Sequence, residues 1–186
     1  MPGTTGGREK VMDRDAVEAT LRELAGLIAD RTEDPADLMV VGIRRRGVEL
    51  ADRIADHLER AGFAPVDTGS LDITLYRDDF EQVGPRPVIG PTELPGEITG
   101  RRVVLVDDVL YTGRTVRAAL DELADFGRPR RIELCVLVDR GGRELPIQPD
   151  YVGRRLEVPP GRQVAVSVPD LDGDLCVCLV DTAEAG

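Results

Sequence analysis

Residues 103–106 form an unbroken apolar run, Val-Val-Leu-Val, closed on one side by Arg102 and on the other by Asp107 and Asp108. Such a run predicts a strand buried on both faces, as in a parallel sheet. Val116, Ala119, Leu120, Leu123 and Ala124 then recur at helical spacing, and Gly127 stands where a helix stop is expected. The segment reads as strand, polar loop, helix. Upstream, Asp13 is placed to cap a helix whose stripe is Val17, Leu21, Leu24 and Ile28 and which ends within residues 31–35. Residues 38–43 read as a buried strand. A helix from about Gly47 to Gly62 turns Ala51, Ile54, Ala55 and Leu58 inward. Alternation over residues 71–76 predicts a strand with one exposed face. Residues 132–138 read as a core strand, residues 158–161 as a turn, and residues 163–168 and 175–180 as late strands. Alternating strands and helices predict an α/β fold, a mainly parallel sheet flanked by helices, with a small hood from the lid and late segments. Residues 1–12 are expected to be a disordered, Gly-rich tail, and residues 13–186 a single domain.

Composition narrows the chemistry. The chain has 186 residues, enough for one domain with a sizeable core. Its net charge is −11, and Lys10 is the sole lysine, so phosphate chemistry must use arginine and backbone. A Walker-type P-loop, which needs Gly-Lys-Ser/Thr, is excluded. Cys135, Cys176 and Cys178 form no Cys-x-x-Cys pair and read as buried apolar residues. His57, the single histidine, lies on an expected helix in a packing or surface role. No segment reaches the apolar length of a membrane span, and the polar start lacks the apolar middle of a signal peptide, so a cytoplasmic protein is expected.

The loop after residue 106 carries the candidate chemistry. At the carboxyl end of a parallel strand, the next helix offers free N–H groups and its positive dipole end. Tyr111, Thr112, Gly113, Arg114 and Thr115 sit there, small or hydroxylated enough to close around a phosphate. Asp107 and Asp108 cannot face that anion. They suit sugar hydroxyls or a divalent cation, and ribose 5-phosphate presents hydroxyls and phosphate together. The Arg44-Arg45-Arg46-Gly47 cluster, at the carboxyl end of the 38–43 strand, becomes a pyrophosphate site if it lies beside that loop. Residues 77–97, rich in Asp, Pro and Gly, form a long excursion that suits a lid, with Arg77 able to close on a departing pyrophosphate.

Residues 104–115, Val-Leu-Val-Asp-Asp-Val-Leu-Tyr-Thr-Gly-Arg-Thr, resemble the phosphoribosyl-pyrophosphate loop of type I phosphoribosyltransferases. Val41-Gly42-Ile43 with Arg46-Gly47, the run from Leu71 to Asp79, Leu137-Val138-Asp139-Arg140-Gly141 with Arg143 to Ile147, and Asp150-Tyr151-Val152-Gly153 together resemble the PyrR family. Members of that family are uracil phosphoribosyltransferases and, often, RNA-binding attenuators of pyrimidine operons. The resemblance implies transfer of the phosphoribosyl group of 5-phosphoribosyl 1-pyrophosphate (PRPP) to uracil, giving UMP and pyrophosphate. It implies catalytic roles for Asp107, Asp108 and Arg77, and ribose 5-phosphate binding at Tyr111 to Thr115. Pyrophosphate falls to Arg45, Arg46 and Gly47, and the base to the backbone of Val138, Asp139 and Arg140. Mg²⁺ would be held mainly through substrate, with Asp107 and Asp108 in reach. No covalent nucleophile is required, and the family implies dimers or tetramers.

Two alternatives stand beside this reading: a UMP- or UTP-sensing RNA-binding regulator, and a phosphoribosyltransferase for another base. The chain departs from the family pattern at Arg45, where a small hydroxylated residue is usual. It departs again on the first helix, where Arg22-Glu23-Leu24-Ala25-Gly26 replaces Thr-Arg-Ile-Ala-His, at Gly142 in place of His, and at residues 158–161. These changes and the net charge argue against RNA as a partner, although Arg128, Arg130, Arg131, Arg140, Arg143, Arg154 and Arg155 could form a basic patch.

Overall fold

The computed structural model describes residues 7–63, 65–76 and 91–182. Five parallel strands form the main sheet: β2 (Leu38–Ile43), β3 (Asp67–Leu71), β4 (Arg102–Leu110), β5 (Arg131–Asp139) and β6 (Tyr151–Arg155), in the order β3-β2-β4-β5-β6. Along β4, Val104 and Val106 pack on one face with α1 (Arg14–Asp30) and α2 (Arg46–Arg60), while Val103 and Leu105 face α3 (Arg114–Phe126) on the other. The unbroken apolar run is the signature of this two-sided burial. Asp13 caps α1 as expected, its Oδ1 accepting the Ala16 N–H at 2.9 Å.

The hood is a second, antiparallel sheet of β1 (Glu9–Met12), β8 (Cys176–Asp181) and β7 (Arg162–Ser167), with the one-turn helix α4 (Pro169–Asp172) between β7 and β8. Residues 9–12, expected within a disordered tail, instead form its edge strand. Four residues with a single buried side chain, Met12, are too short a pattern to be read without the partner strand. Residues 1–6 lie outside the described residues.

Three other expectations are corrected. The strand expected at residues 71–76 is β3, ending at Leu71, followed by a 3-10 turn at Thr74–Tyr76. Asp72 makes that turn, its Oδ1 accepting the Thr74 N–H at 2.9 Å and hydroxyl at 2.5 Å. On α3, Leu120 and Ala124 face outward, and Ala118 and Glu122 take the inner positions. β4 does not stop at the acidic pair but runs through it to Leu110. His57 packs beside Glu18, and all three cysteines are buried as expected. No helix among the described residues is long and apolar enough to cross a membrane.

Candidate active site

Parallel pairing brings the carboxyl ends of β2, β4 and β5 side by side, and the loops that leave them meet there. Asp107 pairs opposite Val136 in the sheet and is buried, while Asp108 is half-buried. Each carboxylate is oriented by the next backbone amide: Asp108 N–H donates to Asp107 Oδ1 at 2.9 Å, and Val109 N–H to Asp108 Oδ1 at 2.8 Å.

Gly113 precedes α3 with φ +94, a conformation that favours glycine, and is packed between Leu145 and Ile147. It provides no side-chain acceptor to the helix start. The amides of the first turn therefore keep their anion-binding character, with Arg114 N–H shared with Thr112 Oγ1 at 3.2 Å. Tyr111 is exposed, and Thr112 and Thr115 are half-buried. The Arg114 side chain is drawn aside, its Nε 2.8 Å from Glu144 Oε2.

The second loop is fixed to the first by backbone contact. A Cβ on Gly47 would lie 2.5 Å from the Val106 carbonyl oxygen and 3.4 Å from Asp107 Cα, so only glycine lets α2 begin against the acidic pair. Arg45 is exposed at the start of α2, and the Arg44–Arg45 peptide is cis. Arg44 turns to β3, bonding Ser70 Oγ at 3.1 Å. Arg46 turns to the hood: its Nε and Nη2 bond the two oxygens of Asp172 at 3.1 and 2.9 Å. That pairing raises the guanidinium pKa further, burial opposes it, and the fields of Asp172 and Asp108 add to the rise.

The third loop follows β5. Val138 is buried at the strand end, and Arg140 N–H donates to the Leu110 carbonyl at 3.1 Å, stitching this loop to the one after β4. The Arg140 guanidinium stacks 3.9 Å from the centre of the Tyr111 ring. Asp139 is committed to the loop itself: Gly141 N–H reaches its Oδ1 at 3.0 Å and Arg143 its Oδ2 at 2.8 Å. Burial pushes the Asp139 carboxyl up, but the Arg143 and Gly141 hydrogen bonds and the charge of Arg155 more than offset it, and it stays below the usual range. A cleft of about 510 Å³ lies against this loop, lined in part by Arg140, Arg143 and Arg155.

Arg143 also bonds the carbonyls of Ile147 at 2.9 Å and Tyr111 at 3.2 Å. It thus organises the loop after β5 and ties it to the loop after β4, a role the sequence does not single out. Its spacing of four from Asp139 was the available signal. Asp172 is likewise absent from the sequence candidates, and only tertiary structure brings it to Arg46.

Residues 77–90, and Arg77 with them, lie outside the described residues. The ends of that excursion do meet. Ser70 and Glu93 exchange two backbone hydrogen bonds of 2.8 Å, Asp72 N–H donates to Thr92 Oγ1 at 3.0 Å, and the Thr92 hydroxyl donates to buried Glu122 at 2.5 Å. Glu122, an acid on the inner face of α3, therefore anchors the stem of the expected lid.

Among the described residues, no three His, Cys, Asp or Glu side chains converge as a metal cage. Two adjacent carboxylates at a strand end nevertheless suit a hard cation whose other ligands are substrate oxygens and water, which is the habit of Mg²⁺.

The comparisons agree with this geometry. The model of the phosphoribosyl transferase domain matches residues 13–172. The chain is 48% identical to the bifunctional protein PyrR of Pelotomaculum thermopropionicum, covering 95% of this chain and 99% of the relative. It is 51% identical to that of Roseiflexus, covering 90% and 91%. Among solved structures, a hypoxanthine phosphoribosyltransferase of Trypanosoma cruzi superposes with a TM-score of 0.70 at 17% identity over 97% of this chain and 98% of that one. A Bacillus anthracis hypoxanthine-guanine phosphoribosyltransferase gives 0.67 at 18% over 92% and 97%. At such identities the structures speak for the fold, and the sequence relatives for the family: the chain is a phosphoribosyltransferase-family protein and belongs to the PyrR family.

Proposed function

We propose that the protein transfers the phosphoribosyl group of PRPP to uracil, releasing UMP and pyrophosphate. The observation that carries this reading is the convergence of three loops on the carboxyl end of β4. Gly47 touches Val106 and Asp107, and Arg140 is stitched to Leu110. Each loop suits one part of the reaction. The α3 amino terminus with Thr112 to Thr115 takes the 5-phosphate. Asp107 and Asp108 hold the ribose hydroxyls and favour the positive charge that builds on the ribose as the bond at C1 loosens. Arg46 and the backbone of Arg45 and Gly47 receive the leaving pyrophosphate, with Arg77 closing from the lid. The backbone of Val138, Asp139 and Arg140 reads the base, on a loop braced by Arg143. Bound with substrate, Mg²⁺ supplies charge neutralisation for the diphosphate. The protein is further proposed to act in the cytoplasm as a dimer or tetramer.

The test is incubation with labelled PRPP, Mg²⁺ and a panel of bases. UMP should form fastest, and preferential use of a purine would overturn the base assignment while leaving the transfer reaction. A second reading is favoured by one observation, that the relatives are named bifunctional: the nucleotide site would also sense UMP or UTP for an RNA-binding face.

A further inference from the structure

We infer that Asp172, on the hood, is a positioning residue that presents Arg46 to pyrophosphate. This rests on the pyrophosphate assignment above and adds to it a residue from another layer of the fold. Asp172 grips the Nε and Nη2 edge of the guanidinium with both oxygens, a bidentate arrangement that fixes the plane of the group as well as its place. The guanidinium also feels the charge of Asp108, and its own helix start touches the acidic pair through Gly47. Gripping the Nε–Nη2 edge leaves Nη1 as a donor group for the diphosphate.

Asp172 is itself held. Val168 N–H donates to its Oδ2 at 2.9 Å, and the Asp172 N–H returns a bond to the Val168 carbonyl at 2.8 Å. A second tie joins the same turn to α2, since Asp170 N–H donates to Glu49 Oε2 at 3.1 Å, and Glu49 is in turn bonded by Arg53 at 3.0 Å. The hood is thereby registered on the first turn of α2, where Arg46 and Gly47 stand. The Arg46 hydrogen bonds are the main reason the Asp172 carboxyl stays below the usual range; burial opposes them and the Val168 amide helps, so the grip is present at neutral pH. Both side chains are partly exposed, at 39% and 24%, and ion pairs in such positions contribute little to stability. What the pair sets is the conformation of a long side chain before its ligand arrives.

Asp172→Asn is the test. The amide keeps the shape and can still accept from Val168, but it loses the charge and turns a donor toward Arg46. The Michaelis constant for PRPP and the inhibition constant of pyrophosphate should each rise about tenfold. The Michaelis constant for the accepted base should stay within about twofold, a split that general loosening of the fold would not give. Arg46→Ala should raise the PRPP constant by about 100-fold. In the double variant, Asp172→Asn should add nothing further, because it acts through Arg46 alone. Asp172→Glu, which keeps the charge on a chain one methylene longer, should recover part of the loss. Unchanged constants in Asp172→Asn, tighter PRPP binding in it, or additive effects in the double variant would overturn the inference. If Arg46→Ala leaves PRPP and pyrophosphate binding intact, the pyrophosphate assignment itself fails.

Discussion

The two ends of the parallel sheet carry the same residue types and put them to opposite uses. At the amino end, Glu133 on β5 accepts from Arg102 Nε at 2.8 Å and from the Tyr151 hydroxyl at 3.1 Å, and pairs with Arg131 at 3.0 Å. Arg102 also reaches Tyr151 at 2.8 Å and the Thr32 hydroxyl at 2.5 Å. A cavity of about 770 Å³ opens there, larger than the cleft of about 390 Å³ beside the Arg44 and Arg45 loop. Yet its arginines are spoken for: Arg102 and Arg131 by Glu133, Arg130 by Asp37, and Arg31 by the Tyr151 ring, 4.9 Å away. At the carboxyl end the polar groups stand at loop starts and helix starts, where backbone amides and one edge of Arg46 remain available. Neither cavity size nor buried charge distinguishes the candidate site. What marks it is polar capacity left over once the fold is satisfied.

The largest effect should come from the carboxyl end. Replacing both Asp107 and Asp108 by Asn should lower turnover by about 10³-fold or more, since the variant no longer stabilises a cationic ribose. The thermal midpoint should move by only a few degrees, because the amides keep the shape of the carboxylates and can still accept from the Asp108 and Val109 N–H groups. Near-normal turnover under saturating substrates would remove these carboxylates from the mechanism and break the contrast between the two ends.

Glu133→Ala should do the reverse. It leaves Arg102 buried without its partner, at a cost of about 3–5 kcal/mol in unfolding free energy, read as a shift of the urea midpoint. Replacing Arg102 and Glu133 together by Met and Leu should recover most of that loss, because a buried pair is worth little more than apolar residues of similar volume. Turnover per folded molecule should stay near normal in either variant.

Midway along β5, Cys135 offers a pH test of the core that joins the two ends. Burial pushes its thiol up to about 12. The folded state therefore keeps a proton that the unfolded chain releases, so this stability is complete below pH 9 and is lost as pH rises toward 12. The loss is about 1.4 kcal/mol per pH unit in that window. Cys135→Val should lack this component. Urea midpoints at pH 8 and pH 10 that fall in parallel for both proteins would place the thiol outside the linkage.

How legible all this was depended on whether a feature is local. β4 declares itself because a strand covered on both faces must be apolar throughout, and Asp13 declares α1 because a cap acts within three residues. The edge strands β3 and β6 are hidden: Asp67-Thr68-Gly69-Ser70-Leu71 and Tyr151-Val152-Gly153-Arg154-Arg155 face partners on one side only and carry glycine and charge. The three loops that converge at the candidate site were legible through their glycines and their order. Glu122 was unreadable as the partner of Thr92, because 30 residues separate the two. Asp172 was unreadable in the same way, since 126 residues separate it from Arg46.

The smallest effect expected is on RNA, and it turns on the same accounting of spent and unspent charge. Sequence-independent RNA affinity comes from cations that are free to neutralise phosphates. At net charge −11 the chain needs such cations gathered on one face. Of the arginines that could supply them, Arg130 is paired with Asp37, Arg131 with Glu133 and Arg143 with Asp139. Arg140 lies over Tyr111, and Arg154 reaches the Val11 carbonyl at 3.3 Å. Releasing any of these to a phosphate sets free a carboxylate or strips a loop of its brace, so the exchange gains little. Filter binding to the leader RNA of the organism's own pyrimidine genes should therefore be weak at moderate salt, with a log-log salt slope shallower than about −3. UMP should leave it unchanged. Tight binding that UMP strengthens would instead establish the bifunctional reading. It would also mean that RNA meets a surface outside these paired arginines, and alanine replacement of Arg128 and Arg155 would be the first place to look for it.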